Sequence, residues 1–248
     1  MKFSNLITLA IFLLLWLAIG EAKLVKPILL PPLPFVFSAL QESVFSTQGI
    51  ADILSTLQRV MLGFLAGVSI AVPLGILIGL YRKFYDSIEW AINFFRSVPV
   101  PAMYPLFMIF LGFQDLSKIA MGAWTGGFVV LVNTIEGVWS ASRKRRIMAV
   151  TKHATKMQLL TKITLFEAMP FIFAGIRIGF AWNLIAVITA EMFLGTNSGI
   201  GHMIYYASVM FDTPRVIAGI ILIGIIGYAI NRIVLFIEEK VIHWKGYS

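Results

Sequence analysis

The sequence predicts an all-α polytopic membrane protein with about six transmembrane helices, and two observations carry that reading. Of its 248 residues, 59% are hydrophobic and only 13% charged, with a mean hydropathy of +0.88. Ordinary soluble domains carry about twice that charged share, and so few charges would leave large apolar patches facing water. In addition, apolar runs long enough to cross a bilayer recur along the chain. The absence of cysteine excludes a disulfide framework and a thiolate nucleophile. In a soluble protein the formal charge of +8 would suggest nucleic acid. In a membrane protein it first marks sidedness, so membrane lipid is the expected surround and no nucleic-acid partner is expected.

The N-terminal run LITLAIFLLLWLAIG follows Lys2 and precedes the small residues of AIGEAK, features shared with a secretory signal. It is read as a retained first span over about 3–20, because six spans put both termini on one side. Residues 60–81 are 22 residues without a charge and reach ~33 Å at about 1.5 Å per residue. Residues 88–113 contain Pro99, Pro101 and Pro105 and read as a broken or kinked span, since proline removes a donor and clashes with the preceding turn. Residues 119–135 form the next span. Residues 168–190 follow, interrupted by Arg177 and Asn183, and 216–230 run on through Asn231 and Arg232 into VLFI. Gly122, Gly126 and Gly127 suit close helix packing.

With a cytoplasmic N-terminus, one face receives Lys2, Arg82, Lys83, Lys240, Lys245 and the segment RKRRIMAVTKHATKMQLLTKI (143–163). That segment holds seven Lys and Arg, one His and no acid. The other face receives Lys23, Lys26, Lys118 and Arg215, with Arg59 near its boundary. The asymmetry places both termini and the basic segment in the cytoplasm. A helix over this segment carries an apolar stripe of Ile147, Val150, Met157, Leu160, Ile163 and Leu165. Such a stripe covers either lipid headgroups or a groove on a partner protein, and the residues alone leave both open.

Ionisable residues near the spans are functional candidates by default. Arg177 lies deepest and is the better candidate for attracting an anion; Arg96 sits where a side chain reaches the headgroups. Glu191 is either a gate residue or a structural cap for the loop after it. Asn197, Ser198, Gly199 and Gly201 read as a flexible turn on the outer face, at a pore mouth or as a plain connector. His153, His202 and His243 lie in separate segments without metal spacing, so no metal site is expected.

Several stretches, in order and spacing, resemble the permease subunits of bacterial binding-protein-dependent importers of the ATP-binding-cassette (ABC) class, nitrate/sulfonate/taurine type. They are STLQRVMLGFLAGVSIAVPLGILIGL (55–80), FFRSVPVPAMYPLFMIFLGF (94–113), MQLLTKITLFEAMPFIFAGIRIG (157–179), AEMFLGTNSGIGHMI (190–204) and FDTPRVIAGIILIGIIG (211–227). The resemblance implies a type I importer permease (MetI-like) fold in one transmembrane domain over 1–248, with core spans over about 56–237, in the inner membrane. It implies a coupling loop over about 140–166 that docks on an ABC ATPase subunit through Ala149, His153, Ala154, Met157, Gln158, Leu159, Leu160 and Leu165. It also implies a second permease copy or homologous permease, and an extracytoplasmic solute-binding protein that delivers a small nitrate-, sulfonate- or taurine-like solute. Glu191, Arg177, Asn197, Gly199 and Gly201 become candidates for the pore or outer gate. No G-x-x-x-x-G-K-[ST] occurs, so ATP and Mg²⁺ are expected on a separate chain and no cofactor in this one.

The sequence departs from the family's coupling motif. Ile147, Met148 and Ala149 stand at its Glu-Ala-Ala positions, His153 at its glycine and Phe166 at its proline. His153 puts the tight reversal between two coupling helices in question. A self-sufficient secondary transporter or channel is the competing class, but it needs ion-coupling residues at paired helix breaks, and one proline-rich break stands alone. A membrane enzyme needs a His and carboxylate cluster or an activated nucleophile, and none is visible.

Overall fold

The computed structural model describes residues 3–22, 25–193 and 196–242, and the secondary structure of these is helical. By contact the chain divides into two compact units: residues 1–56 with 191–226, and residues 57–190 with 227–248.

The second unit is built on long helices. Helix α3 spans Thr47–Leu80, α6 Asp115–Ser140, α9 Leu165–Phe193 and α11 Thr213–Val241; α3, α9 and α11 also contribute to the first unit. All four are long and apolar enough to cross a membrane. Within the second unit α3, α6 and α9 approach closely. A Cβ on Gly126 of α6 would lie 2.6 Å from the carbonyl oxygen of Gly179 on α9, and the reverse holds at the same distance. Only glycine lets these backbones touch, the packing expected of Gly126. Asn183, fully buried, donates from Nδ2 to the Val60 carbonyl oxygen at 2.9 Å and so ties α9 to α3. The polar residue that interrupts the predicted span is therefore a helix-to-helix bond.

The proline-rich segment is more than kinked. Helix α4 (Arg82–Ser97) and the short 3₁₀ turn Val100–Met103 leading into α5 (Tyr104–Leu111) meet at 100°. Pro99 and Pro101 remove the donors that would carry α4 onward. Helix α4 is amphipathic. Tyr85, Ile88 and Ile92 pack against Ile78 and Ile135, while Arg82, Lys83, Asp86 and Glu89 are outside that cluster. So the six expected spans resolve into four long helices, this bent pair, and α1 (Phe3–Glu21), whose described apolar stretch is Ala10–Gly20.

Some charges counted as loop markers are in fact buried. Arg59 and Lys118, 3% and 1% exposed, converge on Asp115 at the start of α6, at 2.8 and 3.7 Å. Burying a charge is tolerable when it is paired, as here.

The first unit contains α1, α2 (Leu33–Phe45) and α10 (Ile200–Val209) with the adjoining ends of the long helices. Neither α2 nor α10 was expected from the sequence. Both are short, lacking the length that makes a span legible.

Candidate functional site

The basic segment folds into an elbow within the second unit. Helix α7 (Arg143–Thr151) begins at Ser142 and ends in a left-handed turn. There His153 takes φ +57°, donating its N–H to the Val150 carbonyl at 2.9 Å, and the Ala154 N–H reaches the Ala149 carbonyl at 3.0 Å. This is the six-to-one, five-to-two pattern that closes a helix C-terminus. The reversal forms without the glycine, with histidine in the position where glycine would be unstrained. Thr155 and Gln158 then form a capping box: Thr155 N–H donates to Gln158 Oε1 at 2.9 Å, and Gln158 N–H to Thr155 Oγ1 at 3.2 Å. The pattern T-x-x-Q carries that signal in the sequence. Helix α8 (Lys156–Leu159) passes through a wide π turn, Leu160–Thr164, directly into α9.

The predicted stripe divides at this elbow. Ile147, Val150 and Met157 are 56%, 57% and 67% exposed, joined by Met148 at 62%. Ala149, Ala154, Leu159, Leu160, Ile163 and Leu165 are half-buried, while His153 and Gln158 are exposed. Sequence reading missed the contact that fixes the elbow. Glu167, in the first turn of α9, accepts the backbone N–H of Ser142, and Arg145 Nε lies 3.0 Å from its other oxygen as an ion pair. Helix α7 is thereby clamped to the base of α9. No spacing rule links residues 142, 145 and 167, so no sequence signal points to the clamp.

The other candidates separate. Arg177 faces Glu238 at 3.8 Å and so has a counter-charge within its own unit. In the first unit Glu191 is 1% exposed and accepts from Thr56 Oγ1 at 2.8 Å and from the Gly201 N–H at 3.0 Å. Thr56 Oγ1 in turn accepts the Ile200 N–H at 2.8 Å, and Asp52 accepts the Gly199 N–H at 2.8 Å. Three successive N–H groups at the start of α10 are thus held by side chains from α3 and α9, satisfying donors that a helix start leaves open. Gly199 takes φ +128°, and a Cβ there would fall 2.5 Å from the Glu191 carboxyl carbon. The turn read as flexible is pinned at Gly199 and Gly201, while Asn197 is exposed. His202 stacks on Tyr206, and His243 lies outside the described residues. No group of three His, Cys, Asp or Glu able to hold a metal occurs among the described residues.

Residues 71–243 match the family described as binding-protein-dependent transport system inner membrane component. The chain is 30% identical over 245 residues to a putative aliphatic sulfonates transport permease protein, SsuC, of Bacillus subtilis, covering 98% of this chain and 88% of that protein. It is 31% identical to a putative ABC transporter permease protein of Methanocaldococcus jannaschii, over 89% and 84% of the two chains. The taurine transport system permease protein TauC of Escherichia coli is 29% identical over 96% of this chain and 88% of its own. Among solved structures, the inward-facing MetNI methionine ABC transporter superposes with a TM-score of 0.63 at 18% identity, over 78% of this chain and 94% of that one, which shows a shared fold. The chain belongs to the family of inner membrane components of binding-protein-dependent transport systems, and it is a transmembrane permease subunit of an ABC importer.

Proposed function

We propose that this chain forms half of the translocation path for a small anionic solute and is driven through its elbow by a separate ATPase. The observation that carries the proposal is the α7–α8 elbow. It is a basic elbow with Ile147, Met148, Val150 and Met157 exposed, clamped by Glu167 to a helix long enough to span the membrane. Exposed apolar residues on a polar projection suit a groove on a protein partner. The family's importers are assembled with ABC ATPase subunits, and those subunits hold the ATP and Mg²⁺; this chain holds no cofactor and performs no hydrolysis.

A second permease, identical or homologous, completes the pore. An extracytoplasmic solute-binding protein delivers the solute to the face that bears α10 and the turn before it. ATP binding draws the two elbows together, and α9 carries the movement into the path. Both termini and the elbow lie in the cytoplasm in this reading, which the positive-inside asymmetry supports. The names of similar proteins, covering sulfonate, taurine and nitrate import, support a small oxyanion or zwitterion as the solute.

The test is affinity purification of the chain from its native membranes in mild detergent. A P-loop ATPase should be retained in stoichiometric amount and lost when Met157 and Ile147 are both changed to Asp. If the chain emerges alone and moves solute in vesicles without ATP, the reading falls and a secondary transporter takes its place.

A further inference from the structure

The right-angled break between α4 and α5 borders an open cavity of about 240 Å³ within the second unit. That is far more than the roughly 10–15 Å³ one water needs, yet below the about 300–1,000 Å³ of sites for drug-sized ligands. Its walls carry four aromatic side chains, Phe95 from α4, Trp124 and Phe128 from α6, and Trp182 from α9, of which only Phe128 is not exposed; aliphatic residues make up most of the rest. Two further lining residues, Arg96 and Thr125, are polar. Thr125 is 7% exposed, and its Oγ1 makes no hydrogen bond among the described residues. A buried hydroxyl without a partner is costly, of order 1–3 kcal/mol, and calls for a ligand. Arg96, Trp124 and Trp182 are exposed, and neither the guanidinium nor the two indole N–H groups have a hydrogen bond or ion pair among the described residues, which leaves these donors available to a ligand. No carboxylate lines the cavity. The lining is therefore rich in donors, carries one fixed positive charge, and is otherwise apolar.

We propose that this cavity is a contact site for the transported solute, taking a small organic oxyanion with a short apolar stem, such as a short-chain sulfonate. Arg96 presents its planar donor fork to the oxyanion, the Thr125 hydroxyl supplies a further donor, and the aromatic walls flank the stem. An inorganic anion would leave those walls without a partner. The assignment rests on the reading that the chain forms a path for a small anion. The same chemistry is offered by a lipid headgroup, because Arg96 stands in the last turn of α4, where a cation is favoured and reaches an interface.

The test uses the full chain in phosphatidylcholine nanodiscs and follows tryptophan fluorescence as ethanesulfonate is added, with ethylene glycol as the neutral control. A saturable change with ethanesulfonate alone is expected, weakened about ten-fold by Arg96→Gln and about three-fold by Thr125→Val, with Arg96→Lys falling between wild type and Arg96→Gln because it keeps the charge and loses the fork. No saturation, or the same curve in both variants, overturns the proposal. A change that appears on adding phosphatidylglycerol without sulfonate, and that Arg96→Gln erases, identifies a headgroup as the occupant and also overturns it. Uptake in whole cells separates the two readings. If wild-type uptake needs ATP and both variants match it, only the cavity assignment fails. If the wild-type chain supports no ATP-driven uptake, the functional reading fails first.

Discussion

At the scale of single residues, two side chains occupy backbone positions that suit glycine. His153 and Phe211 both take φ +57°, each closing a helix, and Phe211 is 74% exposed. The left-handed conformation costs a non-glycine residue roughly 1–2 kcal/mol. His153→Gly is therefore expected to stabilise the elbow by about 1 kcal/mol, slowing hydrogen exchange at the Ala154 amide about five-fold. Faster exchange there would mean that the cap does not form. Phe211→Gly should tighten the Asp212 N–H to Ala207 C=O bond in the same way; nothing in the structure explains a phenyl ring there. Glu191 works in the opposite direction. Removing its carboxylate in Glu191→Ala leaves a buried hydroxyl and the Gly201 N–H without an acceptor. The expected loss is about 2–4 kcal/mol, read as a lower unfolding temperature of the detergent-solubilised chain. An unchanged melting temperature would show that the cap of α10 is held by Asp52 and Thr56 alone.

At the scale of elements, the elbow and α9 are joined twice, which suits the proposed role of a lever. The backbone runs from α8 through the π turn into α9, and Glu167 ties the start of α7 to the same helix. Glu167→Gln keeps the acceptor for the Ser142 N–H and removes the charge that holds Arg145. The variant should bind its ATPase and hydrolyse ATP at the wild-type rate while transport per ATP falls by about five-fold or more. An equal fall in both rates would mean that Glu167 serves assembly instead. The π turn is a ready place for such a lever to flex, since wide turns disturb the regular ladder of a helix. Packing between elements rests on glycine contacts. Gly126→Val would drive a side chain into the Gly179 carbonyl, and the folded yield in membranes should collapse. Gly224, with nothing within 4 Å of an added Cβ, should accept alanine with little change and serves as the control.

At the scale of the whole molecule, the chain is a permease subunit whose sequence departs from the family's coupling motif while its basic segment still folds into an elbow. Ile147 stands at the glutamate position of the coupling motif and Met148 at an alanine, and both are exposed. A docking surface of this kind relies on burial more than on ion pairs. Retention of the ATPase should thus persist at salt concentrations that screen the surrounding Lys and Arg, and a complex that dissociates at about 0.5 M salt would assign the docking to charge instead.

What the sequence determined by itself is set by composition and length. Spans near 60–81, 119–135, 168–190 and from 216–230 on into VLFI are legible because a bilayer demands some twenty apolar residues in a row, a local property of the chain. The basic segment is legible for the same reason, since charge density is read residue by residue. The break at Pro99 and Pro101 is visible as a break, but its 100° angle is not, because proline forbids a bond without choosing a direction. Only the tertiary structure decided that Glu191 caps α10 with Thr56 and Asp52, that Arg177 faces Glu238, and that Glu167 clamps α7. These partners are separated along the chain by 10 to more than 100 residues, so their pairing follows from how the helices pack and not from any spacing a reader can count. His153 makes the same point at one residue. The identity of the side chain argues against the turn, and the hydrogen bonds that close α7, with the capping box that opens α8, carry it through.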